Sequence, residues 1–421
     1  MKTNPLRSIV ASMLAVLALS SITYSHTGVA GEKPRIGVIY PKTGIYASLA
    51  PSHLNGLQMA IDDHGKLLGE TPELFIRDNG TKVDKGVSAA MELITSEKVH
   101  VLIGAINTPV NNAIAKIADE YKIPFLYPSG GSAFMSGIGK DLPYPNGVVK
   151  ANVHPYMVFS IVDASERGAA AVDVAEAYGK RWYFVASDYE YGHEQAGFAQ
   201  KALQARYGDA FKSVGESWPK QGEVDYTSAI TNALAAKADV VYVVLPGRFV
   251  QFQKQAAALG LTKVAQIHWA YDEGPSAVAA GDAAYGVTAT ITYAFDIPDW
   301  KLSGDFARRY QKRFGEWPGA FAAGAYQGTR TLLLAIEKAG SLDSTKIMRA
   351  LQGIEDPNPI GGRPFLIRAC DQKSIQPMYT GIWTKSDEFA PGYWKIVKKF
   401  GNPEASALPC SLKANYDKMK Y

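Results

Sequence analysis

The sequence predicts an α/β protein of two lobes, each a mostly parallel sheet flanked by helices. Two observations carry this expectation. From Pro34 onward, short apolar runs alternate with stretches of helical periodicity, the signature of successive βαβ units. The chain is 421 residues long, beyond the size at which a single hydrophobic core usually keeps growing, so two cores are expected.

The first alternating series supplies strands at Arg35 to Tyr40, Glu73 to Asp78, Val99 to Ile103 and Pro124 to Tyr127. Amphipathic helices lie between them, marked by Leu54, Leu57 and Ile61, by Val87, Met91 and Ile94, and by Ile114, Ile117 and Tyr121. A second series places strands at 182–186, 240–245 and 264–269, with helices near 156–178, 193–207, 226–236 and 249–259. Three further helical stretches, near 303–315, 320–339 and 344–352, come without the strands of a third sheet and are expected back on the first lobe. Residues 363–400 are rich in β-formers with turn signals at Asp371 and at Pro391 and Gly392, and read as antiparallel strands returning to the second lobe.

At the N-terminus, Lys2 and Arg7 precede an apolar run from about Ile9 to Ile22, and Gly28, Val29 and Ala30 follow. This pattern predicts a signal peptide over 1–30, cleaved near Ala30, and delivery to an oxidising compartment outside the cytoplasm. The chain carries 44 basic and 40 acidic side chains, and removing Lys2 and Arg7 leaves 42 against 40. A balanced surface gives no electrostatic reason to expect nucleic acid or an anionic membrane. The two cysteines, Cys370 and Cys410, are expected to form a disulfide that pins the C-terminal tail, worth about 3 to 4 kcal/mol if unstrained.

In parallel sheets, ligands bind where strands end and helices begin, because unpaired N–H groups point there. Three such loops belong to the first lobe. The loop around Thr43, Gly44, Ile45 and Tyr46 lacks the pattern of a nucleotide or dinucleotide site. The loop from Gly104 to Pro109 places Thr108 as helix cap and Pro109 at the first helical position, with Asn107 and Thr108 as candidates to hold a carboxylate. The loop Ser129, Gly130, Gly131, Ser132 has adjacent glycines that let backbone N–H groups approach a ligand. On the second lobe, strand ends carry Tyr189 and Tyr191, Phe249, then Trp269, Tyr271 and Asp272. So many aromatics on loops facing one cleft predict an aromatic-lined pocket, because leaving each one wet forfeits about 1.5 to 3 kcal/mol.

No nucleophile elbow, zinc-protease helix or metal-ligand spacing occurs, and the seven histidines are scattered. His154 and His268 are read as structural. No enzyme activity, cofactor or metal is expected.

Taken in order, these landmarks resemble the type I periplasmic solute-binding proteins of the leucine/isoleucine/valine-binding class. The matching stretches are Ile36 to Tyr46, Gly104 to Thr108, Ile123 to Ser129, Asp188 to Gly192, Asp225-Tyr226-Thr227 with Ile230, and Gly281 to Gly286. The resemblance implies two Rossmann-like lobes, 31–150 plus 293–355 and 151–292 plus 356–421, joined by three crossovers and closing by a hinge. It implies a monomer that hands a small organic ligand to the membrane permease of an ABC transporter. A periplasmic sensor for a membrane receptor, with the same fold, is the alternative. Thr108 or Asn107 and the Ser129–Ser132 loop would grip a carboxylate, and Tyr191 would pack on the ligand. Amino-acid binders of this class hold the ammonium with an acidic side chain near the end of the 264–269 strand. Trp269 stands there, with Asp272 three positions on, so the expected ligand is an aromatic or otherwise bulky small carboxylate, with branched-chain or other amino acids as the alternative.

Overall fold

The structure is a computed structural model that describes residues 31–133, 142–144, 147–149, 154–273 and 275–400. The signal segment and Cys410 lie outside the described residues.

The first sheet is built from β1 (Arg35–Tyr40), β2 (Glu73–Asp78), β3 (Val101–Gly104) and β4 (Phe125–Tyr127). A short hairpin, β5 (Leu142–Tyr144) and β6 (Gly147–Val149), precedes its fifth strand, β7 (Met157–Phe159). The order is β2-β1-β3-β4-β7, all parallel. β1, β3 and β4 are almost wholly buried apolar runs, as sheet strands covered on both faces must be. Helices α1 (Ala50–His64), α2 (Val83–Thr95) and α3 (Thr108–Tyr121) connect the first four strands. β7 stands where a helix from residue 156 was expected, because Met157, Val158 and Phe159 pair with β4 and the helix begins only after the chain has left this sheet. The sheet therefore extends past residue 150.

Helix α4 (Ala164–Tyr178) opens the second half. Its capping box is complete: Asp163 accepts from the Ser165 and Glu166 amides, and Glu166 accepts from the Asp163 amide. Next come β8 (Arg181–Ala186), α5 (Glu190–Tyr207), β9 (Lys212–Ser217), α6 (Thr227–Ala235), β10 (Val240–Val244), α7 (Phe249–Ala258), β11 (Gln266–Trp269), α8 (Pro275–Ala280) and β12 (Thr288–Ile291). Helices α9 (Lys301–Phe314), α10 (Ala320–Ala339) and α11 (Ser344–Leu351) then pack back on the first half, where α10 lies along α1. The contact is close enough that a Cβ on Gly56 would sit 2.1 Å from the Ala322 carbonyl oxygen. A two-stranded pairing of β13 (Leu366–Ile367) with β14 (Ser374–Ile375) leads into β15 (Tyr379–Lys385) and β16 (Gly392–Lys399). These last two join antiparallel to complete a second sheet of order β16-β15-β12-β11-β10-β8-β9.

The chain thus passes between the two sheets three times, and two of the passages touch. The Phe159 amide donates to the Gln372 carbonyl at 2.9 Å. Beside it Lys373, fully buried, reaches Asp163 Oδ2 at 3.2 Å and also bonds Glu166 Oε2. A buried ammonium with two carboxylates is a paired charge, as burial demands. No helix among the described residues is long and apolar enough to cross a membrane.

Candidate functional site

The loops that end β1, β3 and β4 meet those that end β8, β10 and β11. From the first side come Tyr46, Ile106, Thr108 and Gly130; from the second come Tyr189, Tyr191, Pro246 and Tyr271; Phe321, at the start of α10, closes the ring. Together they enclose a cavity of about 20 Å³. That is room for about one water, so any larger ligand requires these walls to separate.

Beside Tyr46 and Ile106, the first wall is backbone and small polar groups. Asn107, not Thr108, caps α3: its side chain accepts from the Val110 amide at 3.4 Å, which leaves Thr108 as the first helical residue and Pro109 in the first turn. Thr108 and Gly130 therefore face the cavity beside a helix N-terminus, where N–H groups favour an anion. The other residues expected in this wall are committed elsewhere. Ser129 donates to the Ala105 carbonyl at 3.1 Å, and Ser132 donates across to Glu194 at 2.9 Å. Gly131, at φ +140°, lies so close to Arg167 that a Cβ would sit 2.6 Å from Nη1.

The second wall is aromatic. Tyr189 and Tyr191 have ring centres 6.2 Å apart, Tyr191 and Tyr271 lie 6.0 Å apart edge-on, and Tyr271 and Phe321 are 6.2 Å apart. Burial raises the Tyr189, Tyr191 and Tyr271 phenols above their ordinary range, and Arg167 partly offsets this at Tyr191. Tyr46 crosses from the opposite side to accept from Gln221 Nε2 at 2.9 Å, and burial pushes its hydroxyl up to about 12.

Two expected members of this wall lie behind it. Trp269 is fully buried: it stacks on Phe249 at 4.8 Å, meets Trp394 edge-on at 5.9 Å and donates its indole N–H to Gln253 at 3.2 Å. Phe249 is buried with it and meets the cavity residue Tyr271 edge-on at 5.3 Å. The strand end at Trp269 points into the layer between α7 and the sheet, and the expectation that Trp269 forms the pocket surface is corrected. Asp272 turns away toward α10, where it accepts from the Ala320 amide at 3.2 Å.

An acidic group behind the aromatic wall is Glu273, which was not among the residues picked out from the sequence. It is fully buried and accepts from the Gly247 amide at 2.6 Å, Ser276 Oγ at 2.9 Å and Tyr271 Oη at 3.3 Å. Burial raises its carboxyl to about 7, with these three donors working against the shift. The available sequence signal was position alone: Glu273 follows Asp272 in the same strand-to-helix loop. His268 is buried between Thr288 and Thr290 and desolvated to about 3, a core residue rather than a proton carrier. His154 sits apart from the cavity against Asp119, at 2.6 Å. No group of acidic, histidine or cysteine side chains suited to hold a metal occurs among the described residues.

Two sheets meeting at the ends of their parallel strands, with three passages between them, make a clamp around this cavity. Residues 33–388 match the periplasmic binding protein family. The chain is a periplasmic binding protein. It is 25% identical over 413 residues to a Leu/Ile/Val-binding protein homolog from Brucella suis, covering 94% of this chain and 99% of the relative. The same fold is seen in an ABC-transporter solute-binding protein from Rhodopseudomonas palustris BisB5 in complex with 3,4-dihydroxybenzoic acid. There the TM-score is 0.76 at 25% identity, over 88% of this chain and 98% of that one. A leucine-binding protein from Thermotoga maritima superimposes with a TM-score of 0.73 at 22% identity, over 88% and 99% of the two chains.

Proposed function

We propose that this periplasmic binding protein is the substrate-binding component of an ABC transporter, and that its ligand is a small carboxylate with an aromatic or otherwise bulky body. The observation that carries the reading is the asymmetry of the cavity. Thr108, at the α3 N-terminus, and Gly130 offer polar groups for an anion, while Tyr189, Tyr191, Tyr271 and Phe321 offer flat apolar surface for the rest. The complex of the Rhodopseudomonas relative with a dihydroxybenzoic acid supports the same ligand class.

Glu273 favours one second reading, an amino acid. A carboxyl held near neutrality by burial becomes a strong partner for a ligand ammonium, since a desolvated ammonium needs an anion. The two readings differ in protons. An ammonium draws Glu273 into its charged form and expels a proton at pH 6.5, whereas an aromatic acid leaves it neutral. A thermal-shift screen of benzoates, aliphatic acids and branched amino acids ranks the ligands, since a ligand at 100 times its Kd stabilises by about 2.7 kcal/mol. Calorimetry of the best one in buffers of different ionisation enthalpy then counts protons. A shift from leucine-like compounds alone, with proton release, would replace the first reading by the second.

Several finer points belong to the same proposal. The 1–30 segment is a cleaved export signal, Cys370 pairs with Cys410, the mature protein is a monomer without enzymatic activity, and a membrane permease is its partner. The lobes 31–150 plus 293–355 and 151–292 plus 356–421 rotate about the crossovers, with the first boundary moved beyond Phe159 to follow β7. Intact mass of the exported protein, with and without reduction and alkylation, tests the signal and the disulfide together.

A further inference from the structure

We propose that Arg167 is what makes the cleft select an acid over its neutral analogue, by charging the cavity wall through Gly130 and Tyr191. The inference rests on the carboxylate reading above and names the residue that enforces it.

Arg167 lies in the first turn of α4 and is 4% exposed. Its Nη1 donates to the Gly130 carbonyl at 2.8 Å and to Tyr191 Oη at 2.8 Å, and its guanidinium carbon lies 5.3 Å from the centre of the Tyr271 ring. Gly130, Tyr191 and Tyr271 are all cavity residues. The guanidinium thus stands directly behind the wall and touches three of its members.

Its charge has no anion of its own. The two carboxylates on the same stretch of chain, Asp163 and Glu166, are taken up by Lys373. Glu194, across the cleft loop, holds Ser132 and the Ala133 amide. Among the described residues no acidic side chain lies within ion-pair distance of Arg167. Buried cations are otherwise paired; here the hydrogen-bond partners are one carbonyl and one phenol. An anion in the cavity completes the arrangement.

The phenol makes the effect directional. Tyr191 accepts from a cation, so its own O–H proton remains free to be donated, and a hydroxyl that accepts from a charged donor becomes a stronger donor itself. Arg167 is therefore a positioning residue: it presents the Tyr191 proton, holds the Gly130 loop in place and supplies the field that a carboxylate feels and a carboxamide does not.

The test compares Kd values for benzoate with benzamide and for leucine with leucinamide, using the full mature chain, in wild type, Arg167→Gln, Arg167→Lys and Tyr191→Phe. For the pair that binds, wild type is expected to prefer the acid. Arg167→Gln should weaken the acid by about 30-fold or more while the amide changes by less than about threefold. Arg167→Lys should restore part of the preference, because it keeps the charge and loses the fork. Tyr191→Phe should cost the acid about fivefold and the amide little. It carries the test alone if Arg167→Gln lowers the unliganded melting temperature so far that the protein does not fold. A role limited to propping the Gly130 loop predicts equal losses for acid and amide, and that result overturns the inference. So does an acid preference that survives Arg167→Gln, or that survives Tyr191→Phe when only that variant folds. A wild type that binds neither acid, or that prefers the amide, removes the carboxylate reading itself and this inference with it.

Discussion

The two walls of the cavity are made of different materials. The wall from the first sheet sets Tyr46 and Ile106 beside a helix N-terminus, a threonine hydroxyl and a glycine loop, groups held largely by hydrogen bonds along the backbone. The wall from the second sheet is four large side chains, three tyrosines and Pro246, with Arg167 and Glu273 buried behind. Fixed dipoles recognise what all candidate ligands share, an anionic group. Large side chains recognise shape, and the charges behind them recognise protonation state. Changes on the first side should therefore alter affinity across all ligands, and changes on the second should alter which ligand wins.

The largest expected effect separates wall from core. Trp269→Ala removes a fully buried indole that stacks on Phe249 and meets Trp394 edge-on, and should cost about 3 to 5 kcal/mol of stability. Once corrected for unfolding, ligand affinity should stay within about threefold of wild type. Chemical denaturation with ligand titration on the folded fraction measures both. A stable variant with lost affinity would return Trp269 to the pocket.

The next effect is in the pH dependence. Glu273 has its native value raised to about 7, above the unfolded carboxyl value, so the native state holds a proton that the unfolded state has lost. Its stabilising contribution is full below the unfolded value near 4.5 and is lost as pH rises to about 7. The amount is on the order of a few kcal/mol. Glu273→Gln should flatten the fall in melting temperature between pH 5 and pH 7.5, without ligand. An unchanged slope would mean that Glu273 is ionised throughout.

The smallest effect belongs to the first wall. Thr108→Val removes one hydroxyl at the cavity and should weaken every carboxylate ligand by about fivefold, roughly 1 kcal/mol, with the ranking among ligands preserved. Calorimetry on the two best ligands checks it. A reordered ranking would show that the first side also reads ligand shape.

Much of the fold was legible because buried strands announce themselves. The run Val240 to Val244 reads as a central strand in any context, and α10 starts and stops where its periodicity does. β9 was missed because it is an edge strand, Lys-Ser-Val-Gly-Glu-Ser, with no apolar face to betray it. β7 was absorbed into a helix because three apolar residues before a helix start fit either period.

The site was legible as loops but not as orientations. Tyr46, Thr108, Gly130, Tyr189, Tyr191 and Tyr271, all picked from strand ends, line one cavity. Trp269 did not: its indole lies in the helix layer against Phe249 and Gln253, with Trp394 reaching it from β16 late in the chain, contacts that a strand end alone does not reveal. Arg167 was invisible for a related reason. An arginine in a helix reads as a solvated face, and it is the approach of Gly130, Tyr191 and Tyr271 from elsewhere that covers it.

The size of the cavity has a kinetic meaning. With about 20 Å³ between the walls, a ligand larger than a water enters or leaves only when they part. Its residence time is then set by how often Tyr46 gives up Gln221 and the glycine loop parts from Arg167 and Tyr191, and not by diffusion along a tunnel. Such separations run on the microsecond-to-millisecond scale of hinge motions. Release to a downstream acceptor therefore needs no chemistry from that acceptor, only a surface that favours the parted form.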